Sequence, residues 1–551
     1  MIGIISKEDE VEVVEEFFQL FKTPWEFYED NREYDAVIVS RDKIIDRING
    51  NVLIIFGSEN TRFDNVKGIS LAPNHNINTL SFGEIDLPIY TQMSTFKNVS
   101  DGDIFLEMNS EVIGLKIQED NQIVLRIGYN LFEEVAYLLS EGQPIENALI
   151  PALEIHISIL RKLITNAGIP LVEIPPIPAG YDFITCLTHD VDFIKICNHL
   201  FDHSMWGFIY RGVFECFKDF LKGKISFTRV LQNWKAVSSL PFVYLGLIND
   251  FWYQFERYLR IETGIKSTYF FIPFKNKPGM KNLFPYASWR MAKYDIADVK
   301  LIAQKIIKSG NEVGVHGIDA WHADGSAYQE KKRVSTIAGE SDLGIRMHWL
   351  LSNNQTFQIL EGAGYSYDST FGYNETVGYR GGTTQVFRPF KVKNLLELPM
   401  HIQDTALFHT RRMSLNEKQA FNICKKLIIN ALKYGGVLTI NWHQRSLGPE
   451  RLWEDFYIRL LEELRDNRPW FATLSQAVGW FRKRRSVSFD EVQFIGDKLR
   501  ICLRSSETDI QPPLLIRIHR PQIKNFKNNS NHLKNYFDLT WSGERKIEIQ
   551  I

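Results

Sequence analysis

The sequence predicts an α/β protein whose middle part is a parallel β-sheet, closed or nearly closed as a barrel. Two observations lead to this prediction. Apolar strands alternate with helical segments over about 300 residues, from Tyr181 to about residue 482, and this alternation is typical of a parallel sheet. Polar residues follow directly after four of the predicted strands, as expected where the strands of a barrel end at one active rim.

Two smaller regions flank the predicted barrel. Residues 1–175 are typical of an N-terminal α/β accessory domain, and they contain neither a GxGxxG nor a P-loop pattern that would indicate a nucleotide site. Residues 176–484 form the predicted barrel, which carries an insertion at 193–250 rich in aromatic and basic residues. Residues 485–551 lack helical periodicity and predict a small β domain.

The individual elements follow from apolar runs, which predict strands, and from helical spacing, which predicts helices. The predicted N-terminal elements are strands at 2–5, 36–39 and 52–56 and helices at 11–21, 131–139 and 148–167. The predicted barrel elements are strands at 183–187, 267–272, 312–315, 395–398 and 437–441 and helices at 296–309, 418–434 and 452–466. The predicted C-terminal strands are at 487–494, 498–504, 514–519 and 545–551.

Composition excludes several classes of protein. The 64 Lys and Arg residues are balanced by 66 Asp and Glu residues, which argues against binding to nucleic acid. The 5 cysteines form no CxxC pair and do not make a disulfide framework. The N-terminus lacks the basic and long apolar regions of a signal peptide. We therefore expect a cytoplasmic protein, with a peripheral role at the membrane surface left open.

The chemically informative residues stand at the ends of predicted strands. They are Asp190 with Asp192, His316, His401 with Asp404, and His443. Because the ends of parallel barrel strands meet at one rim, we expect these side chains to converge.

The pair Asp190 and Asp192 predicts a metal site. Extended backbone places residues two apart on the same side, and two close carboxylates ionise together readily only beside a cation. Asp192 would bind the metal and Asp190 would act as a free base. Carboxylate with imidazole ligands suits Zn²⁺, with Fe²⁺, Co²⁺ or Ni²⁺ as alternatives. The structural alternative is a capping Asp pair beside core histidines.

Five segments in chain order resemble the motifs of the polysaccharide deacetylase (NodB-homology) family, which is carbohydrate esterase-like. The segments are THDVD at 188–192, EVGVHG at 312–317, GIRMHW at 344–349, GYSYDST at 364–370 and LTINWH at 438–443. The resemblance implies a distorted (β/α)7 TIM-like barrel of the NodB type. It also implies metal-dependent removal of N-acetyl groups.

The resemblance assigns roles to individual residues. It implies that Asp190 is the general base and that Arg346 holds it in place. Asp192 and His316 would be metal ligands, and His443 would be the general acid.

The third metal ligand is the point at which this sequence departs from the family. The family commonly places a second histidine four residues after the first, and Ala320 stands at that position here. We assign His322 as the third ligand, which requires residues 317–321 to form a loop or turn. Asp319 and His348 are the alternatives, and a two-ligand or metal-free site is a further one.

These residues together predict a metal-dependent hydrolase, with zinc as the expected metal. Its expected substrate is an N-acetylated glycan or lipid-linked sugar, as used in bacterial surface-glycan synthesis. One alternative is a catalytically inactive glycan-binding or scaffold protein on the same barrel. Another is a C–N hydrolase of a non-sugar amide. The insertion at 193–250 either packs on the barrel or forms a basic, aromatic lid that contacts a membrane.

Overall fold

The computed structural model describes residues 1–41, 48–74, 79–82, 85–97, 102–108, 111–119, 122–280, 291–495, 498–507, 511–521 and 535–550. The chain divides into two compact units. The first unit consists of Met1–Gly180, Arg380–Phe390 and Trp480–Ile551. The second unit consists of Tyr181–Tyr379 and Lys391–Gly479. The division into three domains at 1–175, 176–484 and 485–551 stays a prediction.

The first unit contains a nine-stranded mixed sheet. Its strands, in spatial order, are Trp25–Phe27, Ile2–Ile5, Tyr34–Val39, Gly50–Phe56, Gln122–Ile127, Glu111–Glu119, Met93–Lys97 and Ser70–Asn74, and Asp103–Met108 pairs with Glu111–Glu119. The five strands at the start of this order pair in parallel and the others pair antiparallel. Two of the parallel strands, Tyr34–Val39 and Gly50–Phe56, are largely buried apolar runs, as is typical of a parallel sheet covered on both faces.

Among the described residues, the other elements of the first unit include four α-helices and three small sheets. The helices are Val11–Phe21, Arg62–Lys67, Leu131–Ser140 and Ala152–Asn166. The small sheets pair Thr79–Phe82 with Ile85–Pro88; Leu171–Glu173 with Leu514–His519 and Tyr536–Trp541; and Ser488–Ile495 with Lys498–Arg504 and Lys546–Gln550. The helix at 11–21 and the strands predicted at 2–5, 498–504 and 514–519 are confirmed.

The second unit is built on a curled parallel sheet. Its strands, in chain order, are Ile184–Val191, Ser267–Phe271, Glu312–Gly317, Ile345–Met347, Tyr367–Asp368, Leu396–Glu397, Ile402–Gln403 and Val437–Asn441, with the short strand Trp470–Phe471 beside Ile184–Val191. The strands from Ile184–Val191 to Leu396–Glu397 pair in chain order, and Ile184–Val191 pairs with both Ser267–Phe271 and Val437–Asn441. The predicted parallel sheet is confirmed.

One segment, residues 396–403, contains the strands at both ends of this curled sheet. Its first strand, Leu396–Glu397, pairs with Tyr367–Asp368, and its second strand, Ile402–Gln403, pairs with Val437–Asn441. The two ends of the row of paired strands therefore lie in one short segment of the chain. This is the arrangement that brings the carboxyl ends of the strands around one rim.

Helices connect most of the strands of the second unit. Beyond the insertion they are Phe255–Ile261, Ile296–Val299 with Lys300–Lys308, Asp324–Ala338, Thr356–Gly362, Asp404–Phe408, Glu417–Tyr434, Glu454–Asp466 and Leu474–Ser486, the last of which includes the division point at Gly479. The predicted helices at 296–309, 418–434 and 452–466 are confirmed within two residues at each end.

The insertion at 193–250 is helical. Its helices are His203–Tyr210, the π-helical turn Arg211–Glu215, Cys216–Leu221 and Phe227–Tyr244. They enclose a small apolar core that includes Phe208, Leu240 and Trp252. The described part of the chain contains no helix with both the length and the apolar character needed to cross a membrane.

Candidate metal centre and catalytic groups

The strand ends of the second unit bring five chemically active side chains to one cavity of about 1150 Å³. Asp190 lies near the end of its strand, and Asp192 follows that strand directly. His316 lies on the next-but-one strand, His348 follows Ile345–Met347, and His443 follows Val437–Asn441. The apolar parts of these strands pack in the core, and their carboxyl ends meet at one rim. The polar side chains at these ends therefore lie close together.

Asp190 is a buried carboxylate whose two oxygens are both hydrogen-bonded. Nη1 of Arg346 donates to its Oδ1 at 3.0 Å, and Nδ2 of Asn441 donates to its Oδ2 at 2.8 Å. Arg346 is itself fully buried and also donates to Oγ1 of Thr188 at 2.7 Å and to the carbonyl oxygen of Ser369 at 3.0 Å. The orientation of the Asp190 carboxylate is therefore fixed by residues on two other strands of the sheet, Ile345–Met347 and Val437–Asn441.

Asp192, His316 and His348 form a compact group of donor atoms. One ligand atom from each lies within 4.8 Å of the other two. Oδ1 of Asp192 is 3.1 Å from Nε2 of His316 and 3.4 Å from Nε2 of His348. Bonds of about 2.0–2.2 Å in a tetrahedral arrangement separate ligand atoms by about 3.4 Å. The spacing of the three donors therefore fits a divalent cation with an open coordination position.

The tautomer of His316 favours metal binding. Its Nδ1 lies 3.0 Å from the carbonyl oxygen of Arg346, which can only accept a hydrogen bond. Nδ1 therefore carries the proton, and the lone pair of Nε2 faces Asp192. A metal-binding histidine is commonly oriented by this kind of hydrogen bond.

The ionisation of Asp192 also suits a ligand. Burial raises the pKa of this carboxyl, but the neighbouring imidazoles of His348, His316 and His443 lower it by more. The net result is a pKa below its usual range. The carboxylate is then available without competition from a proton.

His348 lies on an unusual piece of backbone. The two residues that follow it, Trp349 and Leu350, adopt left-handed conformations with φ of 67° and 53°. Such conformations are uncommon for residues other than glycine and are concentrated at functional sites.

His322, the sequence-predicted third ligand, lies outside this group of donors. Its Nε2 is instead 3.2 Å from Oδ1 of Asp319, and Oδ1 of Asp319 also accepts from the backbone N–H of Met280 at 3.0 Å. Among the described residues, the group of metal-binding geometry consists of Asp192, His316 and His348. Asp319 and His348 were the alternatives for the third ligand, and the structure places His348 in this group of donors.

His443 is paired with a buried carboxylate. Its Nδ1 lies 2.6 Å from Oδ1 of Asp404, and Oδ2 of Asp404 accepts from the His443 backbone N–H at 2.7 Å. Its Nε2 points towards Asp192, at 3.7 Å from Oδ2. Burial lowers the pKa of His443, but the charge and hydrogen bond of Asp404 and the charge of Asp192 raise it by more. The protonated imidazolium is thus favoured.

Two supporting residues had no assigned role in the sequence-based prediction. Asn441 stood in the last motif without a function, and the structure places its amide on Asp190. Asp404 was expected only to support the site from a strand end, without a defined role, and the structure pairs it with His443. The sequence signal for both is their position at a strand end of the same sheet.

Comparison with known proteins gives limited similarity. No family model and no curated protein matches the sequence. A chain from Mycobacterium smegmatis assigned as a polysaccharide deacetylase is 17% identical, with 56% of this chain and 95% of that chain covered and a TM-score of 0.34. Puue allantoinase is 13% identical, with coverage of 56% and 92% and a TM-score of 0.34. A Pseudomonas aeruginosa PAO1 chain, also assigned as a polysaccharide deacetylase, is 13% identical, with coverage of 55% and 92% and a TM-score of 0.34. At these TM-scores, none of the similarities identifies the family or the activity of the chain.

The donor geometry predicts which histidine is needed for metal binding. We expect His348→Ala and His316→Ala to lose bound zinc, because each removes one of three donors. We expect His322→Ala, a matched histidine outside the group, to keep it. Removing a ligand should weaken zinc binding by at least about 100-fold. The loss of a residue that only hydrogen-bonds to a ligand already weakens metal binding about 10- to 100-fold. Elemental mass spectrometry of the zinc-loaded, desalted full chain measures this. Zinc lost from His322→Ala and retained by His348→Ala would contradict the assignment.

Proposed function

We propose that the chain is a metal-dependent hydrolase that removes the N-acetyl group from an amino sugar or glycan precursor. Its active site would lie on a distorted (β/α)7 barrel of the NodB type. Asp192, His316 and His348 hold the divalent cation, for which zinc is the expected metal. The observation that supports this most strongly is the group of three donors beside a fixed carboxylate and a carboxylate-paired histidine in one cavity.

A bound divalent cation would polarise the amide carbonyl and make a coordinated water more acidic. The donor set supports this cation because it combines one carboxylate with two imidazoles, which suits zinc. His348 supplies the third donor that the alanine at position 320 does not. This third donor is the reason that we favour an active site over the inactive, glycan-binding alternative.

Asp190 is the proposed general base. Its carboxylate lines the cavity and its orientation is fixed by Arg346 and Asn441. It accepts a proton from the water that attacks the acetamide carbon. Arg346 and Asn441 are positioning residues, because they act through Asp190 and contact no substrate group in this scheme.

His443 is the proposed general acid. Its Nδ1 is held by Asp404, so its Nε2 faces the cavity. The protonated imidazole donates a proton to the departing amine nitrogen, which would otherwise leave as a poor anionic leaving group. Asp404 is a positioning residue that also keeps this imidazole charged.

The pH profile of acetate release tests the proposed function. We expect the zinc-loaded chain to release acetate and free amine in equal amounts from N-acetylglucosamine oligomers. Activity should fall as pH rises through the pKa of His443, because the acid must be protonated. Asp404→Asn removes the charge that raises this pKa, so the alkaline limb should move to lower pH, with a rate loss of at least about 10-fold above it.

The matched control is Asp319→Asn, which removes a carboxylate that pairs with His322. Its alkaline limb should coincide with that of the wild type. An alkaline limb that Asp404→Asn leaves unchanged would contradict the role of His443. No acetate release from any N-acetylated sugar by the zinc-loaded chain would contradict the function itself.

We further propose that the insertion at 193–250 contacts a membrane surface. It contains 12 aromatic residues and 7 Lys and Arg against 4 Asp and Glu. Many of its large apolar side chains are exposed, including Trp206 at 56%, Phe214 at 64% and Leu221 at 69%. Contiguous apolar surface of this kind beside lysines is typical of helices that lie in the interface of an anionic bilayer. A lipid-linked sugar would be presented at that surface.

Vesicle binding tests this contact. The triple variant Trp206→Ser, Phe214→Ser and Leu221→Ser should co-sediment with phosphatidylglycerol vesicles at least about 10-fold less than the wild type, because each change removes apolar area from the bilayer. Leu301→Ser, which changes a leucine that is 83% exposed on a barrel helix, is the control and should bind as the wild type does. Equal co-sedimentation of the triple variant and the wild type would contradict the membrane contact.

A further inference from the structure

Five arginines line the cavity that contains the candidate metal centre, Arg411 and four others. We call Arg211, Arg412, Arg445 and Arg451 the arginine cluster. They come from separate segments of the second unit. Arg211 begins the π-helical turn of the insertion, Arg412 follows the helix Asp404–Phe408, and Arg445 and Arg451 follow His443. Positive charge is thus gathered on one part of the cavity wall by three parts of the chain.

The arginine cluster forms no direct ion pair among the described residues. None of its four guanidinium groups has a carboxylate of that part of the chain within 4.0 Å. Carboxylates act on the cluster from further away, and they include Glu375 and Asp192. Glu450 accepts from Nε1 of Trp252 at 3.1 Å, and Asp404 is bound to His443. Glu215 and Asp219 also line this cavity.

The guanidinium groups are nevertheless held in place. Arg445 lies 4.1 Å above the ring of Phe193 and 5.2 Å from that of Trp252. Nη1 of Arg451 donates to Oγ of Ser446 at 2.9 Å. These contacts orient the cations without neutralising them, which is how a preorganised anion site differs from flexible surface lysines.

Arg412 and Arg211 complete the cluster. Nη1 of Arg412 donates to Oγ1 of Thr405 at 2.5 Å. Nε of Arg211 is buried and has no hydrogen-bond partner among the described residues. A buried, unpartnered donor in a cavity wall indicates a missing acceptor, because desolvating it without a partner is costly.

The charges of the cluster repel one another. Burial lowers the pKa of Arg445 well below its usual value, and the charges of Arg451 and Arg211 lower it further. Burial also lowers the pKa of nearby His409, to about 4, with contributions from Arg451, Arg412 and Arg211. An anion bound among these groups would relieve the repulsion. The electrostatics of this wall therefore favour the binding of an anion.

We propose that the arginine cluster binds the phosphate or diphosphate of the substrate. The proposed substrate is thus an N-acetylated amino sugar carrying a phosphate or diphosphate, and this inference rests on the proposed function. Guanidinium groups bind phosphate oxygens through paired hydrogen bonds. A diphosphate offers charges and acceptors to several arginines at once. A uronic acid carboxylate offers one charge, which leaves most of the cluster uncompensated.

Calorimetry with inorganic diphosphate tests the cluster directly. The full chain is used after chelation and desalting, so that no divalent cation binds the probe. We expect Arg445→Gln and Arg451→Gln each to weaken binding at least tenfold. Arg257→Gln changes an exposed arginine that pairs with Glu454, and it should bind as tightly as the wild type. Circular dichroism melting shows that each variant is folded.

Two substrates distinguish the sources of the diphosphate. One joins N-acetylglucosamine through diphosphate to a short prenyl chain, and the other joins it to uridine. With the zinc-loaded wild type, we expect at least one to have a KM tenfold or more below that of uncharged N-acetylglucosamine, and the lower KM identifies the source. Arg445→Gln should raise that KM by a larger factor than it raises the KM of the uncharged sugar.

The failure of this inference and that of the proposed function are distinguishable. Diphosphate binding that is absent, or equally strong in Arg445→Gln, Arg451→Gln and the wild type, overturns the role of the cluster even if acetate is released. Diphosphate binding that depends on the cluster, with no acetate release from any substrate, supports the cluster and overturns the deacetylase function. Equal KM values for charged and uncharged sugars overturn the proposed substrate class.

Discussion

The buried ion pair between Arg346 and Asp190 is the interaction on which the candidate site depends. Both groups lie inside the curled sheet of the second unit, and the guanidinium of Arg346 rests 4.7 Å above the ring of Phe270. A buried charge without a partner costs several kcal/mol, about 3–5 when one member of a pair is removed. The pair therefore requires that the strands carrying both residues keep their register. The same register places Asp192 and His316 at the rim, because His316 and Arg346 are aligned partners in adjacent strands.

The cavity separates two kinds of electrostatic environment. Around Asp192, three imidazoles surround one carboxylate, and the arrangement is suited to a cation. Further along the wall, the guanidinium groups of Arg211, Arg445 and their neighbours repel one another, and the arrangement is suited to an anion. His443, whose Nε2 is 3.7 Å from Oδ2 of Asp192, has its charge stabilised by Asp404. A substrate with an amide at one end and a phosphate at the other would match the two environments, and its two ends would be recognised by separate groups of residues.

Much of the fold was predictable from the sequence, and the reason is periodicity. The strand at 437–441 and the helix at 11–21 have the predicted bounds, since apolar runs and helical spacing are local signals. The short strands Ile345–Met347 and Tyr367–Asp368 were not predicted, because two or three residues carry no periodic pattern. The two donors Asp192 and His316 were predicted from their strand ends. The choice of His348 over His322 depended on a left-handed turn after a three-residue strand, which spacing alone does not reveal.

The most direct test of the metal-centre assignment is anomalous diffraction from crystals of the full chain grown with zinc. Data collected above and below the zinc absorption edge locate the cation independently of any activity. We expect a peak at about 2.0–2.2 Å from Oδ1 of Asp192 and from Nε2 of His316 and His348. A peak beside His322 and Asp319, or no peak at the three donors in zinc-saturated crystals, would contradict it.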